Sequence, residues 1–210
     1  MQLTKHAHAC VTFTDGARTL LVDPGTFTPD AAELISAADA VLITHEHFDH
    51  FDESALVAEL DRRPGLRVFG PAAVRAKLRG RAEVVAAGDR FEAAGFAIAV
   101  HGETHALIHA DIPVIDNVGY LVEGRVFHPG DSYAVPAAEI ETLLLPISGP
   151  WTKFGEAADF VRAVRPARVV PIHELMLSEL GQNSARMLLG ENGLTGLPLE
   201  TIPWGNSTAV

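Results

Sequence analysis

Between Thr44 and His50 the chain reads Thr-His-Glu-His-Phe-Asp-His, placing three imidazoles and an aspartate within six residues. Neutral imidazole binds zinc, iron or manganese well, and a carboxylate adds a hard oxygen donor with part of the compensating charge. His45 and His47 are two apart, so an extended backbone points both rings to one side. Asp49 and His50 follow as the chain turns, and they can face a second, adjacent point. The spacing fits two neighbouring metal ions, the alternative being a polar loop of solvated histidines.

Such donors need a rigid delivery. Ala40-Val41-Leu42-Ile43 is a short apolar run that reads as a buried strand bringing the chain to a loop at a sheet edge. A helix is expected over 53–62, with Leu56, Val57 and Leu60 on its apolar face and Pro64-Gly65 as its stop. Upstream, 2–13 and 19–23 read as two strands of a hairpin turning through Thr14-Asp15-Gly16-Ala17, and on the first of them His6 and His8 share a face. Further strands are expected at 66–69, 82–86, 142–146 and 168–172, with helices at 71–79 and 156–164. Hairpins are expected at 91–101, around Gly95, and at 117–127, through Glu123-Gly124. The alternation is that of layered α/β packing. A short helix after Gly181 and a frayed end from 206 complete a single expected domain, 1–210.

Composition narrows the function classes. With 48% hydrophobic and 20% charged residues the chain is an ordinary soluble globular protein. It has no apolar run of the roughly 18 residues that span a bilayer, and its N-terminus lacks the apolar core of a signal peptide, so a cytoplasmic location is expected. The single Cys10 cannot form an internal disulfide and reads as a buried core thiol. A formal charge of −11 argues against a general nucleic-acid binder. The expected partner is a small-molecule substrate, with neither nucleic acid nor membrane, and self-association is left open.

The stretch Thr44 to His50 resembles the His-x-His-x-Asp-His signature of the metallo-β-lactamase fold superfamily, and Ala7-His8-Ala9 resembles an element of its lactonase-like branch. The resemblance implies an α/β fold, a four-layer αββα sandwich of two mixed β-sheets flanked by helices. It also implies roles: His45, His47 and His105 on one metal, Asp49, His50 and His173 on the other, and Asp131 of Gly130-Asp131 bridging them, with Asp23 bracing the loop by hydrogen bonds. His101, His105 and His109 compete for one position, and the pattern His-Ala-x-Ile-His-x-Asp-Ile-Pro is similar to relatives that use the first of its two histidines, hence His105. Asp49 and Asp131 are the catalytic candidates.

The cofactor expected is a pair of divalent ions, zinc first, with manganese or iron(II) as alternatives. Two such ions acidify a shared water and polarise a carbonyl or phosphoryl oxygen, so the expected activity is hydrolysis of a small ester, lactone or phosphate ester. The alternatives are a phosphodiesterase or nuclease of the same fold, and a metal-binding or ligand-sensing protein without turnover. Trp151 either walls the pocket or caps the core; Lys153 either meets an anionic substrate or is simply solvated.

Overall fold

The computed structural model describes all of residues 1–210. The first half runs β1 (Gln2–Lys5), β2 (Val11–Asp15), β3 (Arg18–Val22), α1 (Ala31–Ala37), β4 (Ala40–Leu42), α2 (Glu53–Arg62), β5 (Arg67–Gly70), α3 (Ala72–Lys77) and β6 (Glu83–Val84). The second runs β7 (Arg90–Ala93), β8 (Phe96–His101), β9 (Gly119–Val122), β10 (Val126–His128), β11 (Thr142–Pro146), α4 (Phe154–Val164), β12 (Arg168–Ile172), α5 (Glu179–Leu189) and β13 (Ser207–Ala209).

These strands form two mixed sheets, one ordered β13-β1-β2-β3-β4-β5-β6 and the other β12-β11-β10-β9-β8-β7. Their facing sides enclose the main core, in which Phe13, Leu20, Val22 and Leu42 of one sheet meet Phe96, Tyr120, Val126 and Leu144 of the other. A second cluster, with Ile35, Leu56, Leu60 and Val74, packs α1, α2 and α3 on the outer face of the first sheet. A third, with Ala157, Phe160, Val161 and Leu189, packs α4 and α5 on the outer face of the second. The result is the expected αββα sandwich.

Sequence explains the layering. β11 reads Thr-Leu-Leu-Leu-Pro and is buried at every residue, as a central strand covered on both faces must be. β3, β4, β5 and β6 run parallel, their crossovers carrying α1, α2 and α3. α2 starts where Asp52 accepts a hydrogen bond from the Ala55 N–H at 3.0 Å. No helix is long and apolar enough to cross a membrane.

Two expectations fail for clear reasons. The strand expected over 2–13 is broken at 6–10 by a turn in which the His6 N–H donates to the Cys10 carbonyl at 2.9 Å, and His8 is left-handed at φ 59°. β1 and β2 therefore pair antiparallel, and His6 and His8 do not share a strand face. The end expected to fray instead forms β13, which pairs with β1 through Gln2↔Ala209 and Thr4↔Ser207. β1 would otherwise expose an unpaired edge. The short, side-chain-uncapped α1 was not anticipated at all.

Candidate metal centre

The site lies where strand ends from both sheets meet. β3 delivers Asp23, β4 the loop of Thr44 to His50, β10 Gly130-Asp131, β11 the segment through Trp151, and β12 His173. Asp23 is fully buried and organises the loop: Oδ1 accepts from the Thr44 N–H (2.8 Å) and Oδ2 from the Thr44 hydroxyl (2.7 Å) and His50 Nδ1–H (2.7 Å). Nothing with a side chain could replace Gly25, because its Cβ would overlap the Asp49 carbonyl.

This network assigns the ring tautomers. With its proton on Asp23, the Thr44 oxygen accepts from His45 Nδ1–H at 3.0 Å, so His45 Nε2 carries a lone pair into the site. By the same logic the His50 Nδ1–H, donated to Asp23, leaves Nε2 facing inward. His105 Nδ1–H donates to the Ala106 carbonyl, which turns its Nε2 inward too. His45 Nε2 and His47 Nδ1 approach to 3.1 Å.

Two groups of donors result. His45, His47, His105 and Asp131 have ligand atoms within 4.8 Å of one another, and so do His8, Asp49, His50 and His173. Asp131 joins them: Oδ1 is 3.0 Å from His50 Nε2, and Oδ2 is 3.2 Å from His173 Nε2 and 3.4 Å from His105 Nε2. Despite these approaches, the Nε2 atoms of His50, His105 and His173 and Oδ1 of Asp131 are buried without an aligned hydrogen bond. Buried polar atoms rarely stay unpaired, and a cation between them satisfies all at once. The donor set therefore fits two metal ions.

Electrostatics agree. Burial holds His45 and His47 below the usual imidazole range, which keeps them neutral and able to ligate. Burial also disfavours the charged forms of His50 and His173, but the carboxylates together outweigh it, Asp131 with Asp23 at His50 and Asp131 with Asp49 at His173, and both pKa values are raised. Burial pushes Asp49 and Asp131 upward, yet the surrounding histidines hold both below the usual carboxylate range. These opposed shifts mark a cluster whose carboxylates favour positive charge between them, a place that bound cations would fill.

The sequence-expected residues His45, His47, Asp49, His50, His105, Asp131 and His173 are thus brought together. His109 is exposed beside Asp111, and His101 lies against Phe127 at the end of β8. Lys153 is exposed and paired with Glu156 at 2.6 Å. Trp151 does wall the site, and its Nε1–H donates to Asp131 Oδ2 at 2.9 Å. Sequence reasoning missed Asn117, whose Oδ1 accepts from the Asp131 N–H (2.9 Å) while its Nδ2 donates to the Pro129 carbonyl (2.9 Å). At Gly130, φ is 63° and a Cβ would collide with Asn117 Oδ1. His8, in the element that resembles the lactonase-like branch, is fully buried, with Nε2 3.1 Å from Asp49 Oδ2 and its ring 3.8 Å from that of His173.

Asp23→Asn tests the bracing. The amide would aim a donor at either the Thr44 N–H or the Thr44 hydroxyl and His50 Nδ1–H, so metal affinity should fall by about 10–100-fold. Titration of the metal-free variant against a chelator would measure it; unchanged affinity would remove Asp23 from that role.

The chain was compared with known proteins. A family model described as "Beta-lactamase superfamily domain" matches residues 2–173. "Protein Rv0786c" of Mycobacterium tuberculosis is 39% identical over 183 residues, covering 85% of this chain and 86% of that protein. A "UPF0173 metal-dependent hydrolase" of Aeropyrum pernix is 27% identical over 202 residues, covering 82% and 81%. Among solved structures, Igni18, a metallo hydrolase from Ignicoccus hospitalis, superposes with a TM-score of 0.73 at 21% identity, covering 99% of this chain and 97% of that one. Fold, motif order and the extent of the family match converge on one assignment: the chain belongs to the metallo-β-lactamase fold superfamily.

Proposed function

We propose that this protein is a hydrolase that uses two divalent metal ions, zinc first among them, to cleave a small ester, lactone or phosphate ester. The observation that carries the reading is the pair of four-donor groups joined through Asp131 at the floor of a cleft. His45, His47 and His105 would hold one ion, Asp49, His50 and His173 the other, and Asp131 both. When bound, the ions supply an acidified water and an electrophilic position for the substrate oxygen.

The chain's own residues do the rest. Asp49 Oδ2, 3.1 Å from His8 Nε2 and 3.3 Å from His173 Nε2, orients the attacking water and passes a proton to the leaving oxygen. Trp151, held to Asp131, fixes one wall and keeps bulk water from it.

Metal content, measured by plasma mass spectrometry on protein purified without added metal, tests the assignment. About two ions per chain are expected, with a clear loss in His47→Ala. An absence of binding even on reconstitution would sink the dinuclear reading and favour a scaffold or sensor.

A further inference from the structure

The cleft above the metal donors has a volume of about 260 Å³, small for a ligand site. Its walls are Phe27, Phe48, Ile108, Pro150, Trp151 and Met176, and neither lysine nor arginine lines it. Two lysines on neighbouring segments are already paired: Lys153 with Glu156 at 2.6 Å, and Lys77 with Glu46 at 3.5 Å. Phe48, between His47 and Asp49 in the loop, is 63% exposed, and Met176, just beyond His173, is 55% exposed. Phe27 packs edge-on against Phe48 at 5.6 Å, so that wall is a braced apolar surface.

We propose that the site selects neutral carboxylic esters, open-chain or cyclic, with an apolar acyl chain, over phosphate esters. This rests on the metallohydrolase reading above. Only the carbonyl oxygen and the leaving oxygen of such an ester need polar contact, and both lie at the metal end; its carbons meet Phe48, Ile108 and Met176. A phosphate ester carries at least one further anionic oxygen, and any such oxygen not held at the metal end would lose its water against walls that offer it no lysine or arginine. In the reaction the water oxygen bonds to the acyl carbon, the acyl C–O bond breaks with its electron pair on the leaving oxygen, and that oxygen takes a proton released from the water.

The test uses the full chain with both metals bound, offered p-nitrophenyl acetate, butyrate and hexanoate beside p-nitrophenyl phosphate and bis(p-nitrophenyl) phosphate. The ratio kcat/KM should rise about threefold to fourfold per added methylene until the cleft is full, and the best carboxylic ester should exceed both phosphates at least about tenfold. Ile108→Ala should flatten the chain-length dependence, and Met176→Lys should lower hexanoate turnover while raising that of the phosphodiester. Faster cleavage of a phosphate, or no chain-length dependence, would overturn the substrate class and leave the hydrolase reading standing. Turnover of none of the five with two metals bound would overturn both.

Discussion

Asp131→Asn is expected to lower turnover by more than about 100-fold and to reduce bound metal while the fold survives. The bound on the rate comes from comparison with outer hydrogen-bonding partners, whose mutation in metal sites costs 10–100-fold; a group touching both donor sets should cost more. Asparagine preserves shape, and the backbone is independently held by the Asp131 N–H bond to Asn117 and the Ala106 N–H bond to the Asp131 carbonyl. Chemistry is what changes. One carboxylate oxygen becomes an amide that donates, facing either the Trp151 N–H or His50 Nε2, and the negative charge balancing two cations is lost. Metal content, turnover of the best substrate and the circular-dichroism melt should be read together. Full metal occupancy with undiminished turnover would show that Asp131 does not join the two ions. A protein without turnover at the outset, losing metal all the same, would be a sensor.

The metal loop was legible because its information is local. Four donors within six residues after an apolar strand state both a chemistry and a position, and Asp52 marks the helix that follows. His105, Asp131 and His173 are scattered, so their convergence needed the resemblance; nothing in periodicity brings residue 105 to residue 45. The tautomers were invisible, because they depend on a chain of bonds from Asp23 through Thr44 that exists only once β3 and β4 pair. Asn117 was missed for a similar reason. An asparagine before a strand usually signals a turn, whereas here its side chain fixes Asp131 from across the site.

The broken first strand shows how pattern reading errs. Residues 2–13 alternate well enough for one strand, and only tertiary contacts reveal the turn at 6–10 that lowers His8 onto Asp49. The C-terminal strand was equally hidden. Ser207–Ala209 has no strong strand signal, and it forms because the edge of β1 needs a partner.

The least legible residue carries the second large effect: Lys5→Met is expected to destabilise the fold by about 3–5 kcal/mol. A lysine in an exposed-looking strand reads as solvated, yet Lys5 is 2% exposed. Its ammonium donates to the carbonyls of His6 (2.5 Å) and His8 (2.6 Å) and to Glu174 Oε1 (3.0 Å), which also accepts from Trp204 Nε1–H at 2.8 Å. Burial lowers the Lys5 pKa, opposed by the attraction of Glu174. This hub sits behind the metal centre: His8 and His173 are both left-handed, at φ 59° and 61°, and the His173 N–H donates to the His8 carbonyl. Methionine fills the same stem volume but leaves the Glu174 carboxylate without its cation and the His6 carbonyl without its donor, while the His8 carbonyl keeps only the His173 N–H. At 2–4 °C per kcal/mol for a chain of this size, the melting temperature should fall by about 6–20 °C. Lys5→Met with Glu174→Leu should lose less than Lys5→Met alone, because no buried charge is left unpaired. If the double variant were as unstable as the single one, the loss would come from the bonds to the His6 and His8 carbonyls, and the ion pair would have no special part in holding the turn beneath the site.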